Sequence, residues 1–458
     1  MNKKAIEIIE QIAEDRRYQN QIIQLEGKKS HRLRTSCVLP KIESPGELEL
    51  IVNSGITLRD TYGLSLSILK ANKILDSRIK NSAQRGITTQ SVDQPFVDMT
   101  KNTFIVMEPE AANLAYKNTC TDYLEFLKSV AGKLDFIDNM ANAYPKGKKG
   151  ARNLALYENA WDKLIKNDSE VVKLMEKYLS HQNRLLSKAP IGLTRMIEGY
   201  PSDAIAHAAE LNKEANTICE SRSWPKTLNL CVGSTALSRV SIIKKLVVQV
   251  LEKGAFGNDF DYAYIDLPNY GIRNSIAQWK NIQIIFDMID KLRENNIIVV
   301  IGNVDWALAE VCMARGIPYA TTSISGKRAV FGKGGTGGPE KFGKMPLPDL
   351  YDWQEFYSFN DDFVDTEKYN STYPYFSHSA VQFNGKDLLS YKPKAVNIAR
   401  RQIFLEALDN QNSYRIAAAK KGELVEGTIK RLWESSKPDY TKLLAFNPFT
   451  KTNSVNNV

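Results

Sequence analysis

Four carboxylates stand at or just after short apolar runs, where side chains from separate segments can share a pocket. Glu108 closes the run Phe104–Glu108 (FIVME) and Asp138 closes residues 134–138 (LDFID). Asp266 lies in residues 261–267 (DYAYIDL), and Asp305 follows residues 297–301 (IIVVI). Two carboxyls across a pocket supply a nucleophile and an acid/base, or hold a metal. These four residues are therefore the catalytic candidates. Each also has a plainer reading: an Asp at a strand end often caps the next helix, and Asp305 directly before Trp306 has the position of an N-cap.

A second chemistry is cationic. Residues 325–345 (SGKRAVFGKGGTGGPEKFGKM) carry five Lys or Arg against one Glu, directly behind the strand-like residues 318–324. Lys327, Arg328 and Lys333 lie nearest that strand and can hold phosphate as point charges or through a guanidinium fork. The segment contains Gly338–Lys344 in the pattern GxxxxGK, but Met345 and Pro346 follow where a P-loop needs a hydroxyl and a helix. Nucleotide hydrolysis is excluded on that ground. A second basic glycine loop carries Lys146, Lys148 and Lys149, with Arg152 just beyond, and Arg195 ends another apolar run. Cationic loops on one rim suit a polymer backbone better than a single small phosphate. The competing reading is a solvated surface loop.

The elements that would position these groups alternate from about residue 104. Strand-like runs fall at 104–108, 134–138, 190–197, 227–233, 261–267, 297–301 and 318–324, each followed by helical sequence. In the clearest helix Ile276, Trp279, Ile282, Phe286 and Ile289 share one face. Apolar strands alternating with amphipathic helices predict a parallel sheet covered by helices. Seven such strands, with an eighth from 35–52 or 380–384, predict a (β/α)8 barrel with N- and C-terminal helical additions; a doubly wound open sheet is the alternative. Residues 1–103 read as an N-terminal segment of helix and strand that contributes a barrel strand. Within it, 2–25 and 57–75 are expected helical and 81–103 a loop. Residues 104–345 form the barrel core. Residues 346–458 form an aromatic-rich excursion followed by basic helices at 394–435. In a barrel the positions just past each strand converge on one rim: Glu108, Asp138, Asn139, Arg195, Gly233–Thr235, Asp266, Asn269, Asn303, Asp305 and residues 321–325.

From about residue 120 the order of pieces resembles the tRNA-guanine transglycosylase superfamily, including its DNA-modifying relatives. The similar pieces are Tyr123-Leu-Glu-Phe-Leu-Lys before residues 134–138, then 260–266, Ile301-Gly302-Asn303 leading into a short helix, 321–324, and the basic C-terminal helices after His378. The resemblance implies a barrel that exchanges a guanine base in nucleic acid, with one Asp attacking the sugar carbon and a second assisting proton transfer. Asp138 matches the family's early Asp, although Asn139-Met140-Ala141 replaces the Ser-Gly-Gly that follows there. The chain departs from the family twice more. No cysteine follows Cys312, so the family's zinc cluster is missing, and Thr321-Thr322-Ser323 brings no late carboxylate.

The whole chain bounds these readings. At 458 residues it can bury a large core, and 43% apolar with 25% charged residues are ordinary globular values. A net charge of +9, much of it C-terminal, suits an acidic or phosphorylated partner. Five scattered cysteines without a CxxC pair predict reduced thiols and a cytoplasmic location, and no Cys/His spacing suggests zinc, so no metal and no cofactor are expected. Nothing approaches a membrane span. Three function classes stay open: a nucleic-acid enzyme of the glycosidic bond, a barrel lyase or aldolase on a phosphorylated small metabolite, and a non-catalytic interaction module. The oligomeric state is not readable.

Overall fold

Two short N-terminal strands join the sheet built by the later βα units. β1 (Cys37–Ile42, CVLPKI) is apolar but for Lys41, β2 (Gly63–Ser67, GLSLS) alternates apolar and polar residues, and each pairs in parallel with its neighbours. The computed structural model describes residues 37–44, 47, 63–71, 74, 104–144, 152–185, 187, 189–199, 203–251, 255–270, 279–304, 308–309, 312 and 317–323. The expected helices at 2–25 and 394–435, the loop at 81–103, the aromatic excursion, and residues 48–52 and 380–384 lie outside that set.

After β3 (Phe104–Glu108) comes a 3-10 turn (Ala111–Ala115), then α1 (Lys117–Ala131), α2 (Asp135–Asn142), α3 (Leu154–Ile165) and α4 (Asp168–Arg184). β4 (Met196–Ile197), α5 (Ala204–Ser221), β5 (Thr227–Val232), α6 (Ser234–Leu237) and α7 (Val240–Leu251) follow. The series ends with β6 (Tyr262–Asp266), α8 (Trp279–Glu294), β7 (Ile298–Gly302) and β8 (Tyr319–Ser323).

All eight strands belong to one parallel sheet in the order β3-β2-β1-β8-β7-β6-β5-β4. The steps β1→β2→β3 and β4→…→β8 run in the same direction along it. Right-handed crossovers taken in one direction place their helices on one face. A doubly wound sheet reverses direction at a switch point; within each of these two runs the order has no reversal, and the β3→β4 connection passes from one end of the order to the other. The sheet is curled: Thr321 on β8 donates to Glu108 on β3 at 2.5 Å, although two strands lie between them. β3 and β4, the two ends of the hydrogen-bonded order, are not paired with each other among the described residues. The 3-10 turn after β3 packs against β4 instead.

Strand residues of one parity, Leu64, Leu66, Leu228, Leu230, Ala263, Ile265, Val299 and Ile301, join the helices in one apolar core. Full burial of such a side chain contributes about 1.5–3 kcal/mol. The other parity is largely polar, and these residues lie in register: Lys41 beside Ser65, Ser67 beside Glu108, and Cys231 beside Asp266 beside Gly302.

Three expectations are corrected. Residues 134–138 are not a strand: Phe136, Ile137 and Met140 are buried at helical spacing in α2. Among the described residues, six strands, β3 to β8, therefore stand from residue 104 onward. Residues 63–67, within the stretch expected to be helical, form β2, so the N-terminal segment supplies two strands. Residues 190–197 narrow to the short strand β4. No helix among the described residues is long and apolar enough to cross a membrane.

Candidate active site

Parallel strands end on the same edge of a sheet, and every strand except β4 sends a polar group to one buried cluster there. Its centre is Lys41, 2% exposed, near the end of β1. Its ammonium lies 2.6 Å from Glu108 Oε2 and 2.9 Å from Glu110 Oε1, and it donates to Asn303 Oδ1 at 2.8 Å. The ammonium thus has two hydrogen-bond acceptors, Glu110 and Asn303, and a close ion pair with Glu108. Burial opposes the charge most strongly, but Glu108 and Glu110 together outweigh it and hold the ammonium well above its ordinary range. In this charged, hydrogen-bonded state the Lys41 amine is an electrostatic anchor for the two glutamates.

The two glutamates are tied down from the other side. Ser65 and Thr321 both donate to Glu108 Oε1, at 2.6 and 2.5 Å, and Ser67 donates to Glu110 Oε2 at 2.7 Å. Glu110 adopts a left-handed backbone conformation at φ 49°, which is uncommon for a non-glycine residue. The chain around it is pinned by helices: the Tyr123 and Tyr178 hydroxyls, on α1 and α4, lie 2.6 and 3.0 Å from the Pro109 carbonyl oxygen.

Asp266, at the end of β6, is fully buried. Asn303 Nδ2 donates to its Oδ1 at 2.8 Å, and the Cys231 thiol approaches Oδ2 at 3.7 Å. Burial pushes the Asp266 carboxyl up to about 7, against the Asn303 hydrogen bond and with help from the Glu108 charge. The same burial, reinforced by Asp266, keeps the Cys231 thiol protonated, well above the usual range. Burial thus draws Asp266 toward its protonated form near neutral pH. Asn303 and Asn269, after β7 and β6, are also left-handed at φ 61° and 62°, so three of the turns leaving this edge hold uncommon backbone conformations.

The gap between β3 and β4 is bridged by side chains. Arg152 donates to both carboxylate oxygens of Glu198 at 3.0 Å and to the Ala115 carbonyl at 2.9 Å, with its guanidinium 4.0 Å above the Tyr157 ring. Asn269 donates to the Tyr116 hydroxyl at 3.1 Å, joining the turn after β6 to the one after β3.

The sequence candidates divide. Glu108 and Asp266 meet in this cluster, and the rim positions Asn303 and Thr321 join them. Asp138 does not: it sits exposed on α2, outside the hydrogen-bonded cluster. Arg195, expected to hold phosphate, is fully buried and turned inward. It donates to Glu158 at 2.6 and 2.5 Å, and its Nη1 lies 2.6 Å from His207 Nδ1. Burial and the Arg195 charge hold His207 below its ordinary range, so the neutral ring accepts at Nδ1 and donates from Nε2 to Asp162 at 3.1 Å. Asp305, Lys146, Lys148, Lys149, Lys327, Arg328 and Lys333 lie outside the described residues. Lys41, Glu110, Ser65, Ser67 and Tyr264 were missed. The signal for the serines was present, since GLSLS is strict alternation.

Among the described residues no three His, Cys, Asp or Glu side chains are grouped to hold a metal ion. Comparison with protein-family models, with curated proteins and with solved structures gives no match, so the geometry of this cluster carries the functional reading.

Proposed function

We propose that the chain is a (β/α)8-barrel enzyme that cleaves or exchanges a base–sugar glycosidic bond in nucleic acid, with Asp266 as proton donor. The observation that carries this reading is the Asp266 carboxyl, fully buried at a strand end, oriented through Asn303 by Lys41 and pushed up to about 7 by its burial. A general acid works best with a pKa near the working pH. Asp266 protonates the departing base as the bond from the sugar carbon to the base nitrogen breaks, and the electron pair leaves with the base. Water or an incoming base then attacks that carbon and returns a proton to Asp266. The sugar carbon gains positive charge on the way. Glu108 and Glu110 against the single Lys41 leave buried negative charge to stabilise it. The net charge of +9 and the basic loops at 146–149 and 327–333 suit a phosphate backbone. The curl of the sheet and the side chains that span the gap between β3 and β4 support the barrel reading.

The test uses the full-length chain with DNA and RNA oligonucleotides at low salt. Binding and base release, or exchange of isotope-labelled guanine, are followed by mass spectrometry. Asp266→Asn should lower the rate about 10²-fold or more. Absence of both binding and base release would overturn the reading.

One observation favours a second reading. The carboxylates of Glu108 and Glu110 are held by the Lys41 ammonium and by hydroxyls, whereas Asp266 meets one amide and, at 3.7 Å, the weak Cys231 thiol donor, so Asp266 is the least committed of these three carboxyls. One acid/base suffices for proton abstraction in a lyase acting on a phosphorylated small metabolite. Turnover of such compounds without nucleic-acid affinity would select it. Full biological function in Asp266→Asn would select a non-catalytic module.

A further inference from the structure

The donors of the cluster are committed to its own acceptors. Lys41 donates to Glu110 and Asn303 and pairs with Glu108; Ser65, Ser67 and Thr321 donate to the two glutamates; Asn303 donates to Asp266. Of the buried hydroxyls without a hydrogen-bond partner among the described residues, one lies beside Asp266 on β6. Tyr264 is 0% exposed, and its Oη has no hydrogen-bond partner among the described residues. It lies two residues before Asp266 on β6, on the same face of the strand. Its ring lies over Gly302, the register partner of Asp266: a Cβ on Gly302 would fall 2.2 Å from the Tyr264 oxygen and 2.5 Å from its Cζ. The glycine is thus what makes room for the phenol. Burial first, then the Glu108, Asp266 and Glu110 charges, hold the phenol well above its ordinary range, so it stays a donor.

A buried hydroxyl without a partner destabilises a protein, whereas phenylalanine fills the same space without that cost. We infer that the Tyr264 hydroxyl is a ligand-binding group that, beside Asp266, donates a hydrogen bond to an acceptor atom of the departing base. The class of ligand is a planar base presenting a ring nitrogen or carbonyl oxygen. The naming of that ligand rests on the glycosidic reading above; the assignment of the hydroxyl to a ligand does not.

The experiment compares wild type and Tyr264→Phe as full-length chains. Thermal unfolding is measured without ligand, and titration calorimetry is run with guanine, adenine, cytosine and thymine. The expected result is a Tm raised by about 2 °C or more in the variant, with roughly tenfold weaker binding of whichever base wild type binds. A lowered Tm would overturn the inference, because the hydroxyl would then be a structural partner. A raised Tm with unchanged base affinity would overturn it too. A wild-type chain that neither binds nor releases any base sinks the glycosidic reading. In that case a raised Tm in Tyr264→Phe still supports a hydroxyl held for a ligand, and an unchanged Tm removes both ideas.

Discussion

Asn303 donates from Nδ2 to Asp266 Oδ1 across 2.8 Å, in an orientation fixed by Lys41, which donates to the other end of the same amide at 2.8 Å. A flipped amide would set its NH₂ against the ammonium and its oxygen against the carboxylate. Lys41 and Asp266 are thereby coupled through one side chain, and the protonation behaviour of Asp266 depends on a strand three places away in the sheet.

Asp266 should make stability depend on pH. Its folded value of about 7 lies above the ordinary Asp value of about 3.9. Between those limits the folded chain binds more protons than the unfolded one, so stability falls as pH rises from about 4 to about 7 and is level above. Asp266→Asn should remove that slope, measured as Tm at pH 5 to 8 for both proteins. If Asp266 donates the proton, the wild-type rate should fall about tenfold per pH unit above pH 7. A rate that rises through pH 7 would instead make Asp266 a base.

Asn303→Leu deletes a hydrogen bond that favours the ionised Asp266. The carboxyl should titrate at higher pH in the variant, which carbon-13 NMR of the labelled aspartates would read directly. The alkaline fall in rate should move the same way. A titration shifted to lower pH would contradict the coupling.

Lys41→Met leaves Glu108 and Glu110 buried without their counter-ion. Breaking a buried pair from one side costs about 3–5 kcal/mol, enough to unfold many proteins of ordinary stability. Adding Glu108→Gln should recover part of that loss, as measured by urea unfolding. An undiminished stability in Lys41→Met alone would mean that water already reaches the cluster.

Arg195→Met tests a different assignment. Its guanidinium is engaged with Glu158 and His207 and sits 5.6 and 5.9 Å from the Tyr157 and Trp161 rings. The substitution should cost about 2–4 kcal/mol of stability through the lost hydrogen bonds and packing. Nucleic-acid affinity and its salt dependence should be unchanged. A shallower salt slope would return Arg195 to the role of a phosphate contact.

The parts of this architecture visible in the sequence are those with strong local patterns. The runs FIVME, TLNLCV and IIVVI are strands because apolar residues at that density and length have no helical stripe to form, and α8 follows its i, i+3, i+4 spacing. LDFID misled because five residues are too few to separate period two from period 3.6; burial of Phe136, Ile137 and Met140 decides for the helix. The catalytic candidates were found where a carboxylate ends an apolar strand, as at Glu108 and Asp266. Lys41 was not, because a lysine in a strand normally marks an exposed edge. Its burial depends on Glu108 and Glu110, about seventy residues further along the chain, and on Asn303. Pairings of that range leave no local trace.

The placement of β1 beside β8 has a consequence for how the protein is made. Cys37 pairs with Tyr319 and Leu39 with Thr321, so β1 waits for β8, the last strand among the described residues, before that edge is covered. Synthesis at about 5–20 residues per second leaves that edge open for many seconds, and Lys41 without its Asn303 acceptor for nearly as long. Contacts so distant in sequence also slow folding itself. The nascent chain therefore carries an open strand and an incomplete charge cluster until almost the whole sheet has been synthesised, which makes this interval the one in which a chaperone or a helix packed over β1 would matter most.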